Sequence, residues 1–283
     1  SQVVNGKIDL CELLHARGLP RSTKVKLVRH QSSEWSIPEL IARGQFETYQ
    51  SNQGRPIFNC EFIVSFLGER HAQARLLGVY RVENVTRDPA RLWPSGYLYP
   101  EMRPGPLWYQ LAKLPAFAAL ENRVVIDWGA SPRMWHQWLK EREVIEVLPD
   151  GYVRDFPGYD EVVLNYAELQ HIVAKPAAHR EWHRALSSVA GVYLITDTRD
   201  GLQYVGSASG ASGLLGRWSD YARTGHGGNK LLRQLIARDA DAALHFQFSI
   251  LRIMVPTTPR DDILKAESSM KRKLGSRAHG LNT

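Results

Sequence analysis

Residues 191–206 read GVYLITDTRDGLQYVG. Two short apolar runs, GVYLIT and LQYVG, flank the polar segment DTRDG, and an Asp-Gly pair between such runs is a strong hairpin-turn signal. The stretch predicts an antiparallel β-hairpin. With Asp197 to Asp200 as the connection, Thr196 faces Gly201 and the register sets Tyr193 opposite Tyr204, both phenols on one face. Gly206 then opens a Gly/Ser/Ala-rich loop, SASGASG, where a ligand or another backbone can come close before a helix begins near Leu214.

Downstream, SGLLGRWSDYART carries Leu214, Leu215 and Trp218 on one side, while Arg217 and Tyr221, four apart, share a face. A second helix, NKLLRQLIARD, is capped by Asn229 and buries Leu231, Leu232, Leu235 and Ile236. The segment GHGGN, with His226, joins the two helices, and Lys230 follows it. Leu244, Phe246, Phe248 and Ile250 then alternate with His245, Gln247 and Ser249, the period of a third strand for the sheet. In the final helix, DDILKAESSMKRKL, Glu267 falls on the apolar face of Ile263, Leu264, Met270 and Leu274. An ionised group buried without a partner costs several kcal/mol, so two alternatives arise. Glu267 pairs with Arg217, or it ligates a divalent metal at a phosphoryl-transfer site.

Upstream, Ile8, Leu10, Leu13 and Leu14 form a short apolar-periodic segment. The basic stretch RSTKVKLVRH (21–30) is either a solvated face or a phosphate contact. IPELIARGQFETYQ (37–50) predicts one helix with Pro38 in its first turn. FNCEFIVSFL (58–67) and ARLLGVYRVENV (74–85), around the turn GERHAQ, predict a second hairpin. RVVIDWG (123–129) reads as a buried strand, VIEVLP as a short strand or turn, and SPRMWHQWLKE as a helix capped by Ser131 with Pro132 at its first position. A strand near Val162 to Leu164 and a helix through Leu169 and Ile172 precede a break at Pro176, with a lead-in helix from His179 to Leu186. The expected fold class is α+β. It combines a mixed amino-terminal domain (1–176), a compact β-barrel with flanking helices, and a carboxy-terminal domain (177–283) with a three-stranded antiparallel sheet flanked by helices.

Trp128, Trp135 and Trp138 fall at strand and helix spacing and read as core. The loop RLWPSGYLYPEMRPGPLWY (91–109) instead presents Trp93, Tyr97, Tyr99 and Trp108, candidates to stack on an unpaired base, with core packing as the alternative.

The formal charge is +7, and from Ala177 onward 15 Lys and Arg oppose 9 Asp and Glu, so the excess sits with the hairpin. Phosphate neutralisation supplies most nonspecific nucleic-acid affinity, although an ordinary solvated surface would carry the same charge. Cys11 and Cys60 are too few for a disulfide framework or a cysteine zinc site. No apolar run reaches ~18 residues and the first residues lack an export signal, so the chain reads as soluble and cytoplasmic, without a membrane partner.

The order GVY, polar insert, YVG, Arg217 on the next helix, Glu267 on a later one and a terminal LN resembles the GIY-YIG nuclease superfamily over roughly the last hundred residues. The resemblance implies a DNA endonuclease in which Glu267 binds one Mg²⁺ or Mn²⁺ contacting the scissile phosphate. It gives Tyr193 a part in deprotonating the attacking water, Tyr204 the orientation of phosphate or water, and Arg217 the stabilisation of developing phosphate charge. Tyr221 matches a Tyr or His position, and Asn282 a late supporting Asn. The Lys that many relatives carry after the second tripeptide is replaced by Ser207, Ala208 and Ser209, so His226 or Lys230 is left to supply that phosphate contact. The first domain would select a sequence or a modified base in double-stranded DNA, in a restriction or genome-defence role, with a homodimer able to cut both strands. The alternatives are a nucleic-acid-binding protein that no longer cuts, and an RNA nuclease.

Overall fold

The computed structural model describes residues 7–131 and 133–283. They form two compact units, 1–150 and 151–283. The boundary thus falls at 150 rather than near Pro176, because Leu164, Leu169 and Ile172 are buried in the second unit's core with Trp182 and Trp218. Among the described residues no helix is long and apolar enough to cross a membrane.

The first unit opens with α1 (Leu10–Ala16), whose N-terminus is capped by the Asp9 carboxylate accepting from Cys11 N at 2.7 Å. Its strands are β1 (Val25–His30), β2 (Asn52–Gln53), β3 (Phe62–Gly68), β4 (Gln73–Arg87), β5 (Leu107–Lys113), β6 (Val124–Asp127), β7 (His136–Trp138) and β8 (Val144–Val147). They form one curled mixed sheet in the order β2-β5-β4-β3-β1-β7, with β6 on β4 and β8 on β6. Among the described residues only the β1–β3 pairing is parallel, and the sheet they form ends in edges at β2, β7 and β8, open rather than closed into a barrel.

Three local expectations change in this unit. The single helix of 37–50 is two, α2 (Ile37–Ala42) and α3 (Phe46–Ser51), because Gly44 between them takes the left-handed conformation (φ 66°) that ends a helix. The basic stretch 21–30 is neither a solvated face nor a phosphate contact along β1, which is buried at every position. Lys26 Nζ donates to Ile57 O and Asn59 Oδ1 at 2.6 and 2.7 Å. The helix expected from Ser131 is replaced by β7, an edge strand pairing Lys26 with Trp138 and Val28 with His136. Carbonyls that a helix would need are taken: Trp128 Nε1 donates to Met134 O and Arg29 N to Trp135 O. Pro132 lies outside the described residues. Trp128 is core as expected, but Trp135 and Trp138 are exposed, 38% and 48%.

The second unit holds β9 (Val163–Asn165), α4 (Tyr166–Ala174), α5 (Arg180–Ser187), β10 (Ala190–Asp197), β11 (Gln203–Ala208), α6 (Gly213–Thr224), α7 (Lys230–Arg238), β12 (Phe246–Met254), α8 (Arg260–Leu274) and α9 (Ser276–His279). Its antiparallel sheet, β11-β10-β12-β9, has four strands rather than three, since β9 pairs Leu164 with Phe248. The two faces are covered by different helices. Tyr193, Ile195 and Tyr204 pack with Trp218 and Tyr221 of α6, whereas Val192 and Val205 pack with Ala266 of α8. This alternation is the period of two that strand geometry imposes.

Candidate active site

The hairpin of β10 and β11 forms, but two residues out of the expected register. Tyr193 pairs with Gly206, and Tyr204 with Ile195. Asp197 causes the slip by continuing β10: it pairs with Phe246 of β12, and its fully buried carboxylate accepts from Arg199 Nη2 at 2.7 Å. A slip of two keeps each side chain on its face, so both tyrosines still point toward α6, as diagonal neighbours with ring centroids 6.5 Å apart. The strand also runs on through Ser207 to Ala208, so Gly206 does not open the loop.

Gly206 is needed where it stands. A Cβ there would lie 2.5 Å from Tyr193 Cζ and hydroxyl oxygen, so the Tyr193 ring lies directly on the glycine backbone. One turn of α6 places Arg217 and Tyr221 over the same ring. Arg217 Nε donates to the Tyr193 hydroxyl at 3.2 Å, Nη2 to the Tyr221 hydroxyl at 3.4 Å and Nη1 to Gly227 O at 2.6 Å. The two phenols share a hydrogen bond of 3.0 Å.

Electrostatics fix the protonation states. Tyr193 is 0% exposed; burial pushes its pKa up, Tyr204 adds to the rise, and Arg217 and Tyr221 offset only part of it. Burial and the neighbouring Tyr193 raise Tyr221 as well. Burial works against the Arg217 charge, but the phenol oxygens of Tyr193 and Tyr221 outweigh it and hold the guanidinium protonated. Burial thus favours the neutral form of both phenols, and both hold Arg217. Tyr204, 8% exposed, is the phenol whose hydroxyl has no protein hydrogen bond among the described residues.

Glu267 is not joined to this cluster, and neither expected partner is the observed one. Its Oε1 is 2.6 Å from Lys271 Nζ, one turn along α8, and its Oε2 accepts from Ser207 Oγ. Ser207 pairs with Val192 and so belongs to the α8 face, leaving one strand's thickness between Glu267 and the phenols. That strand is the sheet edge. Asn282 covers it at Val205, with Oδ1 accepting from Val205 N and Nδ2 donating to Val205 O, both at 2.8 Å; Leu281 N donates to Gln203 O at 2.8 Å. Among the described residues no backbone group from outside the sheet bonds to Ser207.

No known protein-family model, curated protein or solved structure matches the chain.

Among the described residues no three His, Cys, Asp or Glu side chains converge on a metal cage. Mg²⁺ is commonly held by one or two carboxylates with waters and substrate phosphate oxygens, so the single hard oxygen donor Glu267 at an uncovered strand edge fits such an ion. Lys271 would have to release the carboxylate, which its flexible stem permits.

The remaining candidates separate. His226 Nδ1 accepts from Gly228 N at 2.9 Å and orders the loop whose Gly227 carbonyl holds Arg217; no bond joins it to the phenols. Lys230 is the exposed first residue of α7. In the first unit, Tyr97 and Trp108 are buried and cannot stack on a base: Trp93 covers Tyr97 at 4.3 Å, and the Arg91 guanidinium covers Trp108 at 4.3 Å. Tyr99 is spent on packing with Trp35 and on accepting from Ser36 N. Trp93 lines a cavity with room for a ring, joined there by Trp135, while Tyr99 borders a neighbouring cavity beside Trp35. Lys271 was legible as the cation four residues after Glu267.

Proposed function

We propose that the second unit is a divalent-metal-dependent DNA endonuclease that hydrolyses phosphodiester bonds, and that the first unit selects the target. The observation that carries this reading is Arg217, a guanidinium held by Tyr193, Tyr221 and the Gly227 carbonyl on the same face of the sheet as Tyr204. A cation fixed before the substrate arrives needs no reorganisation as charge develops on phosphate, which is where such groups act most strongly.

The phosphodiester lies at the uncovered edge of β11 near Ser207, meeting Tyr204 from one face of the strand and Glu267 from the other. Glu267 would hold the Mg²⁺ or Mn²⁺, which supplies charge neutralisation and acidifies a bound water. Tyr204, rather than the sealed Tyr193, orients the water or phosphate. Tyr193 and Tyr221 hold Arg217 in place, and Asn282 keeps the β11 edge extended. His226 sets the Gly227 carbonyl, and Lys230 supplies a solvent-facing charge for the DNA backbone. Plasmid cleavage in Mg²⁺ by the intact chain, against Glu267→Ala and Tyr193→Phe, tests this assignment.

One observation favours a second reading, a nucleic-acid-binding protein that does not cut. The Glu267 carboxylate is already paired with Lys271 and Ser207. DNA binding without cleavage in Mg²⁺ and Mn²⁺ would select it, and parallel DNA and RNA substrates separate a ribonuclease.

A further inference from the structure

In the first unit, a cavity of about 220 Å³ opens where β1 ends, between α3 and the loop that follows β4. Its lining includes the rings of His30, Tyr49, Trp93 and Trp135, with Gln53 and the exposed Arg103 beside them. The rings are held from behind. Trp93 stacks on Tyr97 with planes 14° apart, and its indole N–H donates to Met102 O. Tyr49 sets its ring edge-on to His30, centroids 5.8 Å apart. His30 itself is only 4% exposed.

Apart from Arg29 and Arg103, the polar groups of the lining are neutral. Burial pushes His30 down to about 4, with the Gln50 hydrogen bond opposing, so the imidazole is uncharged at pH 7. Its Nε2 lies 3.0 Å from Gln50 Oε1 and must carry the proton, which leaves Nδ1 as the lone-pair nitrogen. Gln50 is wholly buried behind it, and its Nε2 has no hydrogen-bond partner. Arg29, the neighbouring buried cation, directs its guanidinium to the Glu69 and Gln73 carbonyls. Flat aromatic faces beside amide and imidazole donors and acceptors suit a planar heterocycle, with Arg103 the exposed cation of the lining. The volume is below the ~300–1,000 Å³ of sites for drug-sized ligands, so it takes one ring system and not a dinucleotide.

The flank of the cavity suits DNA. Trp138 and Met134 are exposed on the same segment as Trp135, with the exposed Lys140 beside them. Aromatic surface interleaved with cations is how proteins hold unstacked nucleic acid.

We propose that this cavity receives a single nucleobase rotated out of a DNA duplex, with Trp135 as a stacking wall. The proposal rests on the reading of the chain as a DNA-acting protein, and it gives target selection a site. Extruding a base costs a few kcal/mol, least when it is already unpaired.

The test uses the full chain without divalent ion. It compares a fully paired duplex with duplexes carrying one unpaired base, each of the four bases and 5-methylcytosine in turn. At least one unpaired duplex should bind tenfold or more tightly than the paired one and quench tryptophan fluorescence. Trp135→Ala should lose that preference, binding the unpaired and the fully paired duplexes equally. Equal affinity for all duplexes, or a preference that survives in Trp135→Ala, overturns the proposal. So does saturation of the quench by free nucleosides with no duplex preference, which would assign the cavity to a soluble heterocycle. A duplex preference without cleavage in Mg²⁺ removes the nuclease reading and leaves this site standing; cleavage without the preference does the reverse.

Discussion

Tyr193 and Gly206 face each other across β10 and β11 so closely that a methyl group on the glycine would sit 2.5 Å from the tyrosine hydroxyl oxygen. The second tripeptide of the hairpin thus ends in glycine for a packing reason, and the phenol it admits fixes Arg217. Gly206→Ala should push Tyr193 off the strand, with a loss of about 1–3 kcal/mol in urea unfolding and a parallel loss of cleavage. A stability within ~0.5 kcal/mol of the parent would show that the ring has room to move.

Arg217 makes three hydrogen bonds from one planar fork. A lysine cannot reproduce that geometry, so Arg217→Lys should fail almost as fully as Arg217→Ala, each lowering the cleavage rate by about 10²–10³. Single-turnover rates at saturating protein separate this from weaker DNA binding. Full activity in the lysine variant would mean that charge alone matters.

Lys271 occupies the Glu267 carboxylate that the proposed function gives to a metal ion. An ion pair of this kind is worth about 1 kcal/mol, so Lys271→Met should lower the Mg²⁺ concentration needed for half-maximal cleavage by about fivefold. A Mg²⁺ titration reads this directly. An unchanged midpoint would mean that the lysine does not occupy the ion's place.

His30 links stability to pH. Its folded pKa is lowered to about 4 by burial, below the ~6.5 of an unfolded histidine. The unfolded chain therefore binds a proton that the native one refuses, and stability falls as pH drops from ~6.5 toward 4, by about 2–3 kcal/mol in all. Above ~6.5 neither state binds the proton and the contribution is constant. His30→Gln should remove this component, measured as the difference in urea unfolding between pH 7.5 and 4.5 for the two proteins.

Much of the second unit was legible because its signals are local. The Asp200-Gly201 turn, the alternation through Phe246 and Phe248 and the Asn229 cap each specify an element within a few residues. The hairpin register was not legible, since it depends on Asp197 joining β10 with its buried carboxylate met by Arg199, which moves the turn to 198–201. Glu267 was correctly marked as a carboxylate needing partners. Its partners were missed because the face of the sheet on which α8 packs is a tertiary outcome. In the first unit, Trp135 and Trp138 fit a helical period as well as a strand, and only pairing with β1 decides between them. Tyr97 and Trp108 lie in an irregular stretch with no period to say which way a side chain points, so their burial could not be read.

Incubation of the purified chain with supercoiled plasmid and Mg²⁺, on unmodified and modified DNA, bears most directly on the nuclease assignment when Glu267→Ala and Tyr193→Phe are run alongside. The expected result is nicked or linear plasmid from the parent, and at least about 10²-fold slower cleavage by both variants. Cleavage at the parent rate by both, or none by the parent in Mg²⁺ or Mn²⁺, would contradict it.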